Sequence, residues 1–265
     1  MKSNKLKLNP KNNTFAESQL LIIKKKLKDK ETNSKFVKQK KFIIYNFVKR
    51  TNRMVIFRWI NNRSLRMYDR YLRLMFKDKN IINFIENKFH NKKVIRVLDD
   101  GMGKGLFLSE LKDNLNKKFK LITTGTTIDP YELKRNNINK NIDNIILQDT
   151  SQFRIKNNLL TVVPEIKQDL IVSLYGAYQY TLPEIRKEVL LKNAFLLNNG
   201  GYMFIVYSKS NYMINIKDQF DILFNRKKLE EPYILLKKEI EKHGFEFHHY
   251  FSVNMFAELI SIKKI

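Results

Sequence analysis

The stretch VIRVLDDGMGKG, residues 94–105, decides the fold of this chain. Its first half is an apolar run that predicts a buried strand, and its second half places glycines at alternate positions. Glycine lets the backbone turn sharply and approach a ligand closely, because it has no Cβ. The apolar spacing of Leu108, Leu111 and Leu115 predicts a helix after the loop, with unpaired N–H groups and partial positive charge at its N-terminus. Such a strand–loop–helix unit is typical of a site for an adenosine-containing cofactor.

The spacing of the glycines and the acid before them distinguish two kinds of cofactor. Dinucleotide-binding loops follow G-x-G-x-x-G, whereas Gly101, Gly103 and Gly105 follow G-x-G-x-G and position 106 is Leu. The charge of Asp99 would repel a pyrophosphate at this place, and it would attract a ligand that carries an ammonium and a sulfonium group. S-Adenosylmethionine is such a ligand.

With these residues the chain resembles the class I methyltransferases, whose first motif runs acid–apolar–Gly-x-Gly-x-Gly. Asp100 departs from that motif, because it occupies the usually apolar position. The resemblance covers about residues 94–264. It implies an α/β fold with a Rossmann-like, doubly wound and mostly parallel sheet that ends in an antiparallel β-hairpin.

The pattern downstream agrees with a parallel sheet. Four further strands are predicted, and they alternate with stretches of helical spacing, which is typical of strands joined by crossover helices. The predicted strands cover residues 120–127, 142–147, 170–174 and 202–207. Asp99, Asp129 and Asp149 all follow such strands. Ligands of open parallel sheets bind beyond the carboxyl ends of the strands, so we expect these acids to act together.

The resemblance also implies roles for individual residues. Asp129 matches the acid that binds the ribose hydroxyls, with Thr127 as a competing match, and Asp149 matches the acid that accepts a hydrogen bond from the adenine amino group. The predicted cofactor-binding residues are Asp99, Gly101, Gly103, Gly105, Asp129, Asp149 and Ser173. Candidates for lining the transfer site are Tyr175, Tyr178 and Tyr180. The competing interpretation is an α/β domain in which the acids only cap helices.

Composition excludes several kinds of chemistry. The chain has no cysteine, which excludes disulfides, thiolate zinc sites, iron–sulfur clusters and a cysteine nucleophile. Its four histidines show no metal-binding spacing, so we expect no metal site. No stretch approaches the ~18 apolar residues of a membrane-spanning helix.

Positive charge is concentrated at the front of the chain. Residues 1–90 contain 24 Lys and Arg against 6 Asp and Glu, a net charge of +18 out of +25 for the whole chain. We interpret residues 1–35 as a basic, disordered tail, residues 36–90 as a helical basic extension, and residues 91–265 as the methyltransferase domain. Residues 208–238 form an insertion in that domain, which we expect to cap the substrate side.

A helix predicted around residues 63–77 has two different faces. Apolar residues at spacings of three and four form one face, and basic residues form the opposite face. The basic face contains Arg63, Arg66, Arg70, Arg73 and Lys77. It is either a solvated surface or a surface that binds the phosphates of RNA, because Arg fits phosphate oxygens with two hydrogen bonds.

Three functions remain open from the sequence. The first is a methyltransferase acting on RNA or on an RNA-associated protein, with RNA or another polyanion as partner. The second is a methyltransferase acting on a small molecule, with the basic region as a lid. The third is a non-catalytic RNA-binding protein of the same fold. The Asn/Asp-Pro-Pro-aromatic motif of many base methyltransferases is absent, because no two prolines are adjacent. We expect a cytoplasmic protein, and the basic N-terminus leaves organelle targeting open.

Overall fold

A computed structural model describes twelve parts of the chain. They are residues 64–73, 75–76, 80–127, 141–147, 166–174, 176, 178, 189–191, 193–208, 234, 236–252 and 257–265. The predicted tail 1–35, the first part of the extension and nearly all of the insertion 208–238 therefore lie outside the described residues.

The described strands form one seven-stranded sheet in the order β3-β2-β1-β4-β5-β7-β6. The strands are β1 (Val94–Asp99), β2 (Lys120–Thr127), β3 (Asn144–Leu147), β4 (Gln168–Leu174), β5 (Leu197–Ser208), β6 (Phe245–Ser252) and β7 (Ala257–Lys264). The first five run parallel to one another, and β7 inserts antiparallel between β5 and β6. The strand order reverses between β1 and β4, which is where doubly wound sheets bind their ligands.

Both faces of the sheet are covered, as the alternation of side chains along each strand requires. One face packs against three helices, α1 (Leu65–Leu72), α2 (Ile81–Lys88) and α3 (Leu106–Leu115). The other face packs against helical residues 189–191, 193–194 and 236–241, through side chains such as Leu190 and Ile240. We call the apolar cluster between the sheet and α1, α2 and α3 the first core, and the cluster on the opposite face the second core. Along β1, Val97 belongs to the first core and Leu98 to the second. The result is a three-layer α/β domain.

Long-range contacts set the ends of α1 and α2. The backbone N–H of Leu65, at the start of α1, donates to Glu110 Oε2 on α3 at 2.6 Å. Asp69 on α1 accepts a hydrogen bond from the N–H of Ile81, the first residue of α2, at 2.9 Å. Burial raises the pKa of Asp69 above its usual value, although this hydrogen bond and the charge of Arg73 act in the opposite direction. Both contacts attach α1 to the domain.

Several predicted boundaries differ from the structure. A helix is predicted around residues 63–77, and the regular helix in the structure, α1, ends at Leu72. Phe76 lies beyond that end and still packs in the first core. Strand β5 begins at Leu197 rather than at residue 202, because Leu197 pairs with Gln168 and Tyr202 with Leu170 across a register irregularity. Glycine at position 200 allows this irregularity, since its φ is +72°.

The amino end of β4 contains a buried aspartate that pairs with a partly exposed lysine, far from the glycine loop. Asp169 is 1% exposed and accepts hydrogen bonds from Lys92 Nζ at 2.5 Å, the Arg96 N–H at 2.8 Å and Asn198 Nδ2 at 2.6 Å. These contacts join β4 to β1 and β5 at the amino ends of the parallel strands, opposite the end where the predicted site lies.

We expect Asp169→Asn to lower the free energy of unfolding by about 2 kcal/mol, because it removes the charge opposite Lys92 and leaves an amide N–H beside other donors. Urea unfolding measures this change. A free energy equal to that of the wild type would show that this ion pair does not stabilise the fold.

Candidate functional site

The glycine loop connects the carboxyl end of β1 to the start of α3. Gly101, Gly103 and Gly105 have φ values of +89°, +58° and +71°, all in the left-handed region. Residues with a side chain adopt this region at a cost of about 1–2 kcal/mol each. The G-x-G-x-G pattern of the sequence is therefore required by the backbone of the loop.

The packing of Met102 explains why a glycine is required at position 125 in β2. The Met102 side chain is 1% exposed and lies against β2 at Gly125, where an added Cβ would stand 2.0 Å from the Met102 sulfur. At Gly105 an added Cβ would stand 2.3 Å from Ile142 Cδ1. The loop is thus packed tightly against β2 and the residues before β3.

Asp99, the acid before the loop, is fully buried. The hydroxyl of Tyr68 on α1 donates to it, at 2.8 Å from both Oδ1 and Oδ2. The Tyr68 ring stacks on Phe107 of α3, with the ring centroids 3.8 Å apart. From the sequence alone, Tyr68 is predicted only as a member of the apolar face of its helix. A hydroxyl in a buried stripe needs a hydrogen-bond partner, and that requirement was the available signal.

Asp100 occupies the usually apolar position of the family motif. It attaches the loop to β2 and β4. Its backbone N–H donates to the Val172 carbonyl of β4 at 2.8 Å. Its Oδ1 accepts from the Thr126 hydroxyl of β2 at 2.8 Å, and the same hydroxyl accepts from the Gly101 N–H at 2.7 Å. Asp100 is 1% exposed, so these hydrogen bonds compensate for the loss of hydration. An apolar residue at this position would keep the backbone bond to Val172 and lack the side-chain hydrogen bond with Thr126.

The carboxyl end of β4 contacts the same loop. Ser173 is 3% exposed, and its hydroxyl donates to the Asp100 carbonyl at 2.8 Å. Gly176 approaches so closely that an added Cβ would stand 2.4 Å from the Asp100 carbonyl oxygen and 3.0 Å from that of Gly101. Asn193 lies in a helical segment after β4, and its Nδ2 donates to Asp100 Oδ2 at 3.4 Å. Ser173 therefore supports the loop, and its contact with a cofactor stays a prediction.

The structure covers the remaining predicted residues only in part. Thr127 ends β2 and is 4% exposed, whereas Asp129, Asp149, Tyr175 and Tyr180 lie outside the described residues. Tyr178 is 1% exposed and packs in the second core beside Leu98 and Ile171. The roles proposed for these residues are not tested by the structure.

The two faces of α1 have different environments. Tyr68, Tyr71 and Leu72 are buried in the first core. Arg66, Arg70 and Arg73 are exposed, and Arg63 lies outside the described residues. Because Tyr68 contacts Asp99, this basic surface belongs to the helix that also contacts the candidate site.

Within the described ranges of the chain, no group of three or more histidine, aspartate or glutamate side chains is arranged to hold a metal ion. No helix there is both long enough and apolar enough to cross a membrane.

Comparison with known proteins gives structural matches alone. No protein-family model matches the sequence. No curated protein matches it either. Among solved structures, the plantazolicin methyltransferase BpumL in complex with SAH aligns at 15% identity with a TM-score of 0.54, covering 92% of this chain and 100% of its own.

Two other solved structures are similar to this chain over about 70% of its length. CalS10, an amino pentose methyltransferase from Micromonospora echinaspora with SAM bound, is 10% identical with a TM-score of 0.45, and covers 70% of this chain and 89% of its own. An rRNA methylase from Streptococcus thermophilus is 12% identical with a TM-score of 0.42, and covers 69% of this chain and 96% of its own. On the strand order and the match to the plantazolicin enzyme, this chain has the fold of the class I S-adenosylmethionine-dependent methyltransferases.

Proposed function

We propose that this protein is an S-adenosylmethionine-dependent methyltransferase. The observation that carries the proposal is the buried carboxylate of Asp99 followed by three left-handed glycines, at the point where the strand order of the sheet reverses. A carboxylate at this place suits the ammonium group of a methionine moiety and disfavours a pyrophosphate. The G-x-G-x-G spacing disfavours a dinucleotide for a second, independent reason.

The residues of the site fit this cofactor. Asp99 would hold the ammonium group, and the glycine loop would leave room for the backbone to contact the nucleoside. Asp129 or Thr127 would bind the ribose hydroxyls, and Asp149 would accept from the adenine amino group. S-Adenosylmethionine supplies a methyl group activated by its sulfonium.

The rest of the chain has to position the acceptor. Holding a nucleophile in line with a reactive group supplies a large part of the acceleration in such reactions, so a dedicated base is not required. Tyr175, Tyr178 and Tyr180 are our candidates for shaping the space in which the acceptor is held. We assign the exclusion of water and the orientation of the acceptor to these three tyrosines and to the insertion 208–238.

We further propose RNA, or a protein associated with RNA, as the acceptor. The support is the exposed basic surface of α1, formed by Arg66, Arg70 and Arg73, on a helix that contacts the cofactor acid through Tyr68. The net charge of +18 in residues 1–90 would add electrostatic attraction to a polyanion. A phosphate backbone bound on the basic surface of α1 would hold RNA on the outer side of this helix, whose buried face contacts Asp99.

A small-molecule acceptor is the second candidate. The plantazolicin methyltransferase covers 92% of this chain, so its similarity extends beyond the sheet into the region that we interpret as a basic extension. In that case the extension would serve as a lid. A non-catalytic binding protein is the third candidate, and it would bind RNA without transferring a methyl group.

The three candidates differ in two measurements. Equilibrium binding of S-adenosylmethionine separates a methyltransferase from a non-catalytic protein of the same fold. Incubation with methyl-labelled cofactor and either total RNA or a small-molecule extract then identifies the acceptor class. Label in the RNA, together with mass spectrometry of RNA from a deletion strain, would support the first candidate, and label in the small-molecule fraction alone would overturn it.

We expect the double variant Arg66→Gln/Arg70→Gln to bind RNA more weakly and with less dependence on salt. If each arginine contacts one phosphate, the slope of log K against log salt falls by about two, one for each lost contact. Gln is nearly as good a helix former as Arg, so α1 should persist. Fluorescence anisotropy with a labelled single-stranded RNA at several salt concentrations measures both quantities.

A matched control removes the same charge elsewhere. Lys238 and Lys242 are exposed, one helical turn apart, and lie at the helix that packs on the opposite face of the sheet. Lys238→Gln/Lys242→Gln should leave RNA affinity close to that of the wild type. Equal losses in both double variants would mean that net charge alone, and not the α1 surface, determines binding.

A further inference from the structure

The contact between Tyr68 and Asp99 joins a helix outside the sheet to the acid of the candidate cofactor site. Both side chains are fully buried. The Tyr68 hydroxyl lies 2.8 Å from each carboxylate oxygen, so it faces both oxygens at once and restrains the rotation of that group. We infer that Tyr68 is a positioning residue, which orients Asp99 for the ammonium group of the cofactor. This inference rests on the proposed function.

The choice of a phenol at this place has an electrostatic consequence. A lysine or arginine would neutralise the carboxylate, and this chain has 51 of them. The tyrosine hydroxyl is a neutral donor, so its hydrogen bond stabilises the carboxylate without itself cancelling the negative charge.

The position of the Tyr68 ring is fixed independently of the hydroxyl. The ring stacks on Phe107, the second residue of α3, at a centroid distance of 3.8 Å. The start of α1 is attached to α3 by the hydrogen bond from the Leu65 N–H to Glu110. The ring, the acid and the helix after the glycine loop therefore form one packed unit. Removal of the hydroxyl alone would leave this packing in place.

The test compares Tyr68→Phe with Tyr71→Phe, the same substitution at a second buried tyrosine of the same helix. The probes are S-adenosylhomocysteine, which carries the ammonium group, and methylthioadenosine, which lacks the amino-acid moiety. A hydrogen bond to a charged group contributes about tenfold or more in affinity. We expect Tyr68→Phe to weaken S-adenosylhomocysteine binding about tenfold and to leave methylthioadenosine binding unchanged. Tyr71→Phe should change neither.

The probe pair separates positioning from folding. A variant that was merely destabilised or repacked would lose affinity for both ligands, so equal losses for the two probes would overturn the inference. Unchanged binding of both probes by Tyr68→Phe would also overturn it, and would reduce Tyr68 to a packing residue.

A third variant separates this inference from the proposed function. If Asp99→Asn loses S-adenosylhomocysteine binding while Tyr68→Phe does not, the cofactor site stands and only the role of Tyr68 falls. If the wild-type protein does not bind S-adenosylhomocysteine, or if Asp99→Asn binds it as tightly as the wild type, the cofactor assignment and this inference fall together.

Discussion

Asp99→Asn is expected to weaken the binding of S-adenosylhomocysteine by about a hundredfold. Removing one partner from a buried pair of opposite charges costs about 2–5 kcal/mol, and 1.4 kcal/mol corresponds to a factor of ten. Asparagine keeps the size of the side chain and an oxygen that can accept the Tyr68 hydroxyl, so the fold should persist. Titration calorimetry measures the affinity. Asp99→Ala is a less specific variant, because it would leave the buried Tyr68 hydroxyl without this acceptor and cost about 1–3 kcal/mol of stability.

Asp169→Asn provides the matched control. Asp169 is also a buried aspartate on a central strand, but it lies at the amino end of β4, where Lys92 pairs with it. This variant should lose stability and retain its affinity for the cofactor. If both aspartate variants bound S-adenosylhomocysteine as tightly as the wild type, Asp99 would have no role in cofactor binding.

Gly103→Val is expected to abolish cofactor binding. The φ of +58° at this position is strained for any residue with a side chain and most strained for a β-branched one. In addition, an isopropyl group on the loop would stand in the path that we propose for the cofactor. We expect no detectable heat of S-adenosylhomocysteine binding and a loss of about 1–3 kcal/mol in unfolding free energy.

The strain and the obstruction can be separated at a second glycine. Gly200 has a φ of +72°, is exposed, and has no atom within 4 Å of an added Cβ. Gly200→Val should therefore show a similar loss of stability with normal cofactor affinity. A Gly103→Val protein that still bound the cofactor normally would place the cofactor away from the loop.

The local parts of the fold could be predicted from the sequence. Strand β1, the three glycines and α3 follow one another directly in the chain. Each was predictable because an apolar pattern, or a requirement for left-handed backbone, depends on only a few neighbouring residues. Strand β2 begins and ends at the predicted residues, 120 and 127. The order of the elements then restricted the architecture to a doubly wound sheet.

The contacts between elements could not be predicted in the same way. Tyr68 and Asp99 are 31 positions apart, and Asn193 and Asp100 are 93 positions apart. Periodicity shows that one side of α1 is buried, but it does not show which residue the Tyr68 hydroxyl contacts. Asp100 weakened the match to the family motif, whereas the structure shows it as the residue that ties the loop to β2 and β4. Its hydrogen bonds depend on the tertiary arrangement, which a single sequence does not contain.

The central claim is that the loop after Asp99 binds S-adenosylmethionine and not a dinucleotide. Titration calorimetry of the purified 265-residue chain with S-adenosylmethionine, S-adenosylhomocysteine, NAD and NADP tests it most directly. We predict saturable binding of the first two at one site per chain, with no binding of either dinucleotide. Binding of NAD or NADP with no response to S-adenosylmethionine or S-adenosylhomocysteine would contradict the account.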